Sequence, residues 1–198
     1  MSDDESFYIN DYIEIPDQLK SFETGKPISH CVDCGTRLLE EGPSYLIQKA
    51  YRKPEVLVEY AQCFNCYEEL TASSSKQTMR DIWNFFLDSC DFEGRKQRLL
   101  KEAPQDFEPW IENCLTCGKG KDEVTTYTLV WQCEGPHLLF YYMPYLICEE
   151  CQIRMQNLMS TKSRDIWDRW YEDHIGTPSV MEKDYTPGKV VLVLSRLA

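Results

Sequence analysis

The sequence predicts an α+β protein of two tandem units, each with a Cys-x-x-Cys turn, a β-hairpin and a second Cys-x-x-Cys that opens a helix. Three observations support this fold class. Four Cys-x-x-Cys pairs form two matched sets, the segments between them are rich in β-branched and aromatic residues, and each half ends in an amphipathic stretch. The pairs are Cys31/Cys34, Cys63/Cys66, Cys114/Cys117 and Cys148/Cys151.

An internal duplication explains the order of these motifs. In each half a Cys-x-x-Cys-Gly is followed by a spacer, a second Cys-x-x-Cys and the tetrapeptide Arg-Asp-Ile-Trp, which occupies residues 80–83 and 164–167. The distance from the second cysteine pair to the tetrapeptide differs by one residue between the halves. A repeat of several motifs in the same order indicates two copies of one structural unit.

The four cysteines of each unit predict one bound zinc ion, so the chain is expected to hold two Zn²⁺. Two residues between cysteines let a tight turn present both sulfurs to one metal, and two such turns supply the tetrahedral four-thiolate set that zinc prefers. Iron or an iron–sulfur cluster can use the same ligands. Disulfides or buried apolar cysteines do not explain two matched sets. His30 precedes Cys31, but four sulfurs already fill the tetrahedron.

The duplication divides the chain into five parts. We expect an acidic N-terminal arm, a first zinc unit, a helical and proline-containing connector, a second zinc unit, and a C-terminal tail with a terminal strand. These parts span residues 1–29, 30–90, 91–112, 113–175 and 176–198. A unit of about 60 residues buries little apolar surface, and a structural metal compensates for that shortage.

A β-hairpin is predicted between the two cysteine pairs of each unit. In the first unit the strands are 45–47 and 56–60, separated by a proline-containing turn. In the second unit they are 124–131 and 138–142.

Helices are predicted after Cys66 and Cys151, with apolar residues at helical spacing. Serines at 73–75 and 160–163 interrupt both segments, so one long helix and two shorter, serine-capped helices fit equally well. The shared tetrapeptide predicts that Trp83 and Trp167 are equivalent core residues.

The remaining segments give weaker signals. Residues 7–16 alternate only partly and indicate either an edge strand docked on the first unit or a partly ordered tail. The basic cluster at 95–101 is typical of a solvated helix face. Residues 189–194 predict a buried strand whose pairing would tie the two halves into one body. Cys90 and Cys133, outside the two sets, are expected to be buried thiols.

The motif order resembles the treble-clef group of zinc domains, which overlaps in sequence with zinc ribbons. The resemblance covers Cys31 to about Cys90 and Cys114 to about His174. It implies a zinc-binding fold, but the group serves many roles and the fold alone does not give a function. The chain lacks the His-rich nuclease signature, the interleaved eight-ligand spacing of a RING and a strongly basic recognition helix.

Charge and composition restrict the partners. The formal net charge is −12, and two four-thiolate zinc sites would bring it to about −16. That balance argues against nucleic acid, whose binding needs lysines and arginines on the phosphates, and favours a basic protein partner. The sequence contains no 18-residue apolar run and no secretory signal. Thiol-rich chains of this kind are expected in the cytoplasm, without a membrane partner.

The sequence predicts a non-catalytic interaction module. The three histidines, His30, His137 and His174, form no evident nucleophile constellation, and four cysteines close a zinc site to substrate. We therefore expect zinc to hold two platforms whose acidic and aromatic surfaces bind a protein. Two alternatives remain: a redox-sensitive thiol switch or zinc-dependent chaperone, and a nucleic-acid or transcription-associated zinc protein.

Overall fold

A computed structural model describes residues 12–40, 42 and 44–176. In this part of the chain, one antiparallel six-stranded sheet carries five α-helices, which confirms the α+β class. The strands are β1 (Tyr12–Glu14), β2 (Tyr45–Arg52), β3 (Glu55–Cys63), β4 (Thr126–Glu134), β5 (His137–Leu139) and β6 (Tyr145–Cys148). The helices are α1 (Phe64–Ser73), α2 (Lys76–Ser89), α3 (Phe92–Glu102), α4 (Glu149–Asn157) and α5 (Thr161–His174).

Both predicted hairpins form, and the second contains a strand that the sequence did not reveal. β2 pairs with β3, and β4 pairs with β5. The chain then leaves the sheet before Pro144 and returns as β6, which pairs with another part of β4. β5 ends at Leu139, so the predicted strand at 138–142 forms only in part. Pro144, which has no backbone N–H to give to a ladder, lies in the connection to β6. Cys148 therefore lies at the end of the separate short strand β6, and not at the end of one continuous strand.

The two units join at the centre of the sheet, where β2 pairs antiparallel with β4. Tyr45 and Tyr127 are equivalent, because each lies opposite the third cysteine of its unit. Tyr45 pairs with Cys133, and its equivalent Tyr127 pairs with Tyr51. Since Tyr51 and Cys133 each lie six residues after the equivalent tyrosine, the same pairing occurs in both directions across the junction. The pairings of β2 with β3 and of β4 with β6 are thus related by an approximate twofold axis that passes between β2 and β4.

This junction differs from the predicted one, in which terminal strands tie the units together. Among the described residues, β1 is the N-terminal strand, and it pairs with β5 of the second unit instead of docking on the first. Residues 7–11 of the predicted arm and the predicted strand at 189–194 lie outside the described residues. A β2–β4 pairing was not predictable because nothing local in either sequence specifies an edge-to-edge partner.

The central strands are buried on both faces of the sheet. Tyr45, Leu46 and Ile47 of β2 are fully buried, as are Val130 and Trp131 of β4. Successive residues of a strand point to opposite faces, so consecutive buried residues require cover on both sides.

The segment after each second cysteine pair contains two helices, separated by a short break of two or three residues that ends in a serine. Ser75 caps α2 by accepting from the Thr78 amide at 3.1 Å. Ser160 caps α5 by accepting from the Ser163 amide at 3.2 Å. These side chains satisfy backbone donors that a helix start leaves unpaired, so the two-helix alternative is confirmed.

The second helix of each pair crosses to the other unit. α5 of the second unit packs on the first, where Trp167 contacts the ring of Tyr67 edge-on with centroids 6.1 Å apart. α2 of the first unit packs on the second, where Phe86 lies 6.3 Å from Tyr145. The units therefore exchange their last helices, which closes the core around the twofold axis.

The expected equivalence of Trp83 and Trp167 is wrong. Counted from the caps, Ile82 and Trp167 are the matching positions, seven residues after Ser75 and Ser160 (82 − 75 and 167 − 160). Ile82 and Trp167 are both 2% exposed, whereas Trp83 is half-buried at the margin of the core. The one-residue difference in motif spacing therefore shifts the tetrapeptide by one position on the helix, and about 100° of rotation moves Trp83 off the buried face.

The basic cluster in α3 is not wholly a solvated face. The Arg95 guanidinium donates to the carbonyls of Trp110 at 2.6 Å and Pro144 at 2.9 Å, and it stacks on the Trp110 ring. These contacts clamp the connector to the turn before β6. Burial lowers the pKa of Arg95 to about 10. None of the described helices combines the length and hydropathy needed to cross a membrane.

Candidate metal centres

Each unit places its first cysteine pair on a tight turn with the same backbone geometry. In the first turn the Gly35 amide donates to the Cys31 carbonyl at 3.0 Å, and Gly35 adopts a φ of +72°. In the second turn the Gly118 amide donates to the Cys114 carbonyl at 2.9 Å, with a φ of +74° at Gly118. Glycine reaches this left-handed region without a Cβ clash, which explains the residue after each first pair.

The second cysteine pair lies where a strand becomes a helix. Cys63 ends β3 and is the N-cap of α1, and Cys66 lies in the first turn of that helix. Cys148 and Cys151 occupy the same positions at the junction of β6 and α4. The positive end of a helix dipole favours thiolates at this place.

The fold brings the predicted cysteines together in two groups of four, with the sulfurs of each group within 4.8 Å of one another. The groups are Cys31, Cys34, Cys63 and Cys66, and Cys114, Cys117, Cys148 and Cys151. Cys34 and Cys63 are 3.8 Å apart at sulfur, and Cys117 and Cys148 are 3.7 Å apart. Sulfurs held about 2.3 Å from one tetrahedral ion are separated by about 3.8 Å. Both groups therefore have the composition and spacing to bind one metal ion each.

These sulfurs are unbonded thiols, and a backbone amide contacts one sulfur of each group. All ten cysteines of the chain are free, and a disulfide needs sulfurs about 2.05 Å apart. The Cys63 amide lies 3.4 Å from Cys31 Sγ, and the Cys148 amide lies 3.4 Å from Cys114 Sγ. Such N–H contacts orient the ligands and stabilise their negative charge.

The thiol pKa values differ within each group. A hydrogen bond with the Thr36 hydroxyl, supported by the Thr36 amide, lowers the pKa of Cys34 to about 6. Burial raises the pKa of Cys114, but amide hydrogen bonds, chiefly from Cys148, outweigh it and lower the pKa to about 7. Burial raises the pKa of Cys66 and that of Cys151, the latter to about 11. A divalent ion that binds all four sulfurs must therefore displace protons.

The turn of the first group is hydrogen-bonded to α5 through a carboxylate, and the second turn has no carboxylate at the matching position. Asp33, inside the first turn, accepts from Trp170 Nε1 at 2.8 Å and lies 3.5 Å from His174 Nε2. Thr116 occupies the matching position of the second turn, 3.6 Å from Cys114 Sγ. Sequence reasoning missed Asp33; its one signal is a carboxylate between two ligand cysteines.

Other residues singled out in the sequence lie outside both groups. His30 is exposed, and its Nδ1 shares a 2.9 Å hydrogen bond with Ser29 Oγ. His137 meets the ring of Tyr12 at the far end of the sheet. Cys133 is fully buried in β4, as predicted, and burial raises the pKa of its thiol. Cys90 is only half-buried at the end of α2.

Three comparisons with known proteins give no match. Neither a protein-family model, nor a curated protein, nor a solved structure matches the chain. The functional argument therefore depends on the geometry of the two cysteine groups and on the surface around them.

Proposed function

We propose that the protein is a non-catalytic, zinc-stabilised interaction module that binds a basic protein partner. The observation that carries this proposal is the closed four-sulfur composition of both groups. A four-thiolate site leaves no coordination position for water or substrate, so an ion held there supports the fold instead of a reaction.

Zinc is the ion that the donor set fits best. Four thiolates at tetrahedral spacing match its preferred ligands, and the ligands come from a glycine-ended turn and a helix N-terminus, as in the treble-clef group. The two groups sit at the ends of strands that meet in one sheet. One ion would thus hold the end of β3 and the other the end of β6. These strands lie in the sheet on which the two units exchange their helices.

The acidic surface supports a basic partner. The chain has 33 acidic and 21 basic residues, for a formal net charge of −12. A field of that sign repels phosphates and speeds the encounter with a positively charged protein surface. Arg95 is half-buried and bonded to backbone carbonyls, so it cannot bind a phosphate. This leaves fewer cations in the basic cluster at 95–101, the segment best suited to nucleic acid.

A thiol switch is the second candidate, and the exposure of one cysteine in each group favours it. Cys34 and Cys117 are exposed, whereas the other six ligand cysteines are buried. An oxidant can reach an exposed thiolate. A switch must release its metal within seconds of mild peroxide treatment, whereas a structural site shielded by amide contacts releases it slowly.

The decisive experiment compares the two kinds of partner with the full-length, metal-loaded chain. We expect crosslinking in lysate of the native host to capture basic proteins, with yield falling as salt rises, and we expect no binding to a labelled oligonucleotide. Submicromolar oligonucleotide binding at about 0.15 M salt would overturn the proposal. Loss of zinc within seconds of adding peroxide would instead favour the thiol switch.

A further inference from the structure

A groove of about 560 Å³ runs beside the outer edge of β3. One wall is formed by Val56 and Val58 of that strand, the other by the loop around Phe22 and Ile28, and Ile175 at the end of α5 closes one side. This volume lies within the range of ordinary ligand clefts.

β3 is the last strand on its side of the sheet, with β2 on its inner edge. The strand order places no other described strand against its outer edge. Near the end of β3, the Ala61 carbonyl accepts from the Val32 amide at 2.8 Å, so the first cysteine turn covers that part. Val56, Leu57 and Val58, which line the groove, lie beyond this cover. Leu57 is an extra residue in the pairing of β3 with β2. An uncovered strand edge is a template for another extended chain.

The opposite wall is held in place by a buried ion pair. Glu59 of β3 lies 3.0 Å from Lys49 Nζ and accepts from the Ser21 hydroxyl and the Phe22 amide, both at 2.8 Å. The backbone at Phe22 is therefore fixed, but its side chain is 75% exposed. An aromatic ring on a fixed backbone next to an open groove is suited to anchor a ligand, because binding must order only the side chain and not the backbone.

The charge of the groove indicates the chemistry of its occupant. Its charged lining residues are Glu23 and Glu59, and no lysine or arginine lines it among the described residues. Lys49 compensates the charge of Glu59, so Glu23 sets the sign of the groove. Glu23 is exposed, and so is Glu55 at the start of β3. Apolar walls with acidic flanks complement an extended peptide in which apolar side chains alternate with basic ones.

We propose that this groove binds an extended basic and apolar segment of a partner protein, which adds as a strand to the outer edge of β3. This inference depends on the proposed protein-binding function and names its surface. Apolar side chains of the segment would enter between Phe22 and Val58, and its lysines or arginines would face Glu23 and solvent.

The test uses the full-length, metal-loaded protein and a fluorescent heptapeptide of alternating valine and lysine. We expect saturable anisotropy changes, and at least a tenfold loss of affinity when the peptide backbone is N-methylated at the residues facing β3. Phe22→Ala should weaken binding about tenfold without changing stability, because the ring is mostly exposed. Leu87→Ala, at 46% exposure on α2, is the matched control and should bind normally.

A charge pair of variants tests the acidic flank. Glu23→Lys should weaken binding of the valine–lysine peptide and strengthen binding of a valine–glutamate peptide. Glu69→Lys makes the same change of net charge on the exposed face of α1 and should leave both affinities unchanged.

Several results would overturn the assignment. Equal binding of the N-methylated peptide excludes strand addition, and a dimer that Phe22→Ala dissolves assigns the groove to a second copy. Binding seen only after deletion of residues 177–198 assigns the groove to the chain's own segment. If the Phe22→Ala variant captures the same host protein equally well, the groove is not the binding surface, although the proposed protein-binding function stands.

Discussion

The indole N–H of Trp170 donates to the Asp33 carboxylate at 2.8 Å, which ties α5 of the second unit to the cysteine turn of the first. His174 stacks on the Trp170 ring and approaches the same carboxylate. The position of Asp33 is set by its neighbours Cys31 and Cys34. The first metal centre and the docking of the exchanged helix are therefore mechanically linked.

Asp33→Asn should weaken this link without removing a cysteine. We expect a loss of about 1–3 kcal/mol in the free energy of unfolding, because a charge-assisted hydrogen bond becomes a neutral one in a half-buried place. Urea denaturation at matched zinc content measures the change. Asp165→Asn, at an exposed position of α5, is the control and should be within about 0.5 kcal/mol of the parent.

Metal content is the most direct prediction. Reduced protein never exposed to chelator should contain two zinc ions per chain, and chelation should unfold both units together, since metal binding is coupled to folding. Atomic spectroscopy gives the stoichiometry and circular dichroism follows the unfolding. One ion per chain, or none, would contradict the two-site arrangement.

Replacement of single ligands tests the grouping of the cysteines. Cys66→Ser and Cys151→Ser should each lower the stoichiometry from two ions to one, because each removes a ligand from a different group. Cys133→Ser, in the core but outside both groups, should keep two ions even if it lowers stability. Loss of both ions in either ligand variant would show that the centres do not fill independently.

The two tryptophans of the repeated tetrapeptide should respond differently to truncation. Trp167→Ala should cost roughly 3–5 kcal/mol, because the ring is buried and its Nε1–H donates to Ser74 Oγ at 2.7 Å. Trp83→Ala should cost less than half as much, because its ring is only half-buried. Equal losses in calorimetry would restore the equivalence that the motif alone suggests.

Acid sensitivity should depend in part on Glu59. Burial alone would raise the pKa of this carboxyl, but the Phe22 amide, the Ser21 hydroxyl and Lys49 outweigh it and hold the pKa below its usual value near 4.5. A carboxyl with a depressed folded-state pKa stabilises the fold above its unfolded pKa, and this stability is lost as pH falls through the lower folded value.

The comparison of the parent with Glu59→Gln at each pH isolates this effect. The variant should be less stable at pH 7, and the difference should shrink steadily from about pH 5 to pH 3. Because both proteins carry the same cysteine groups, metal loss in acid affects both and cancels in the difference. A gap that stays constant with pH would exclude Glu59 as the titrating group.

The sequence predicted those features that depend on short spacing. Two residues between cysteines, a glycine after each first pair and a serine before each second helix act over one turn of chain, so the grouping and the caps could be read locally. The β2–β4 pairing joins residues such as Tyr45 and Cys133, and the helix exchange depends on contacts such as Trp170 with Asp33. Both kinds of contact join residues far apart in sequence. Local patterns do not specify such partners. The tetrapeptide wrongly predicted that Trp83 and Trp167 are equivalent, because a shift of one residue along a helix moves a side chain to a different face.

The helix exchange has a consequence for synthesis. α2 packs on β6 and α4, where Phe86 contacts Tyr145 and Phe85 contacts Arg154. These partners follow α2 by more than fifty residues (145 − 86), so the ribosome synthesises α2 well before them. At roughly 5–20 residues per second, the apolar face of α2 stays uncovered for several seconds. The nascent first half therefore exposes this apolar face while Cys31, Cys34, Cys63 and Cys66 are already available to bind a metal ion.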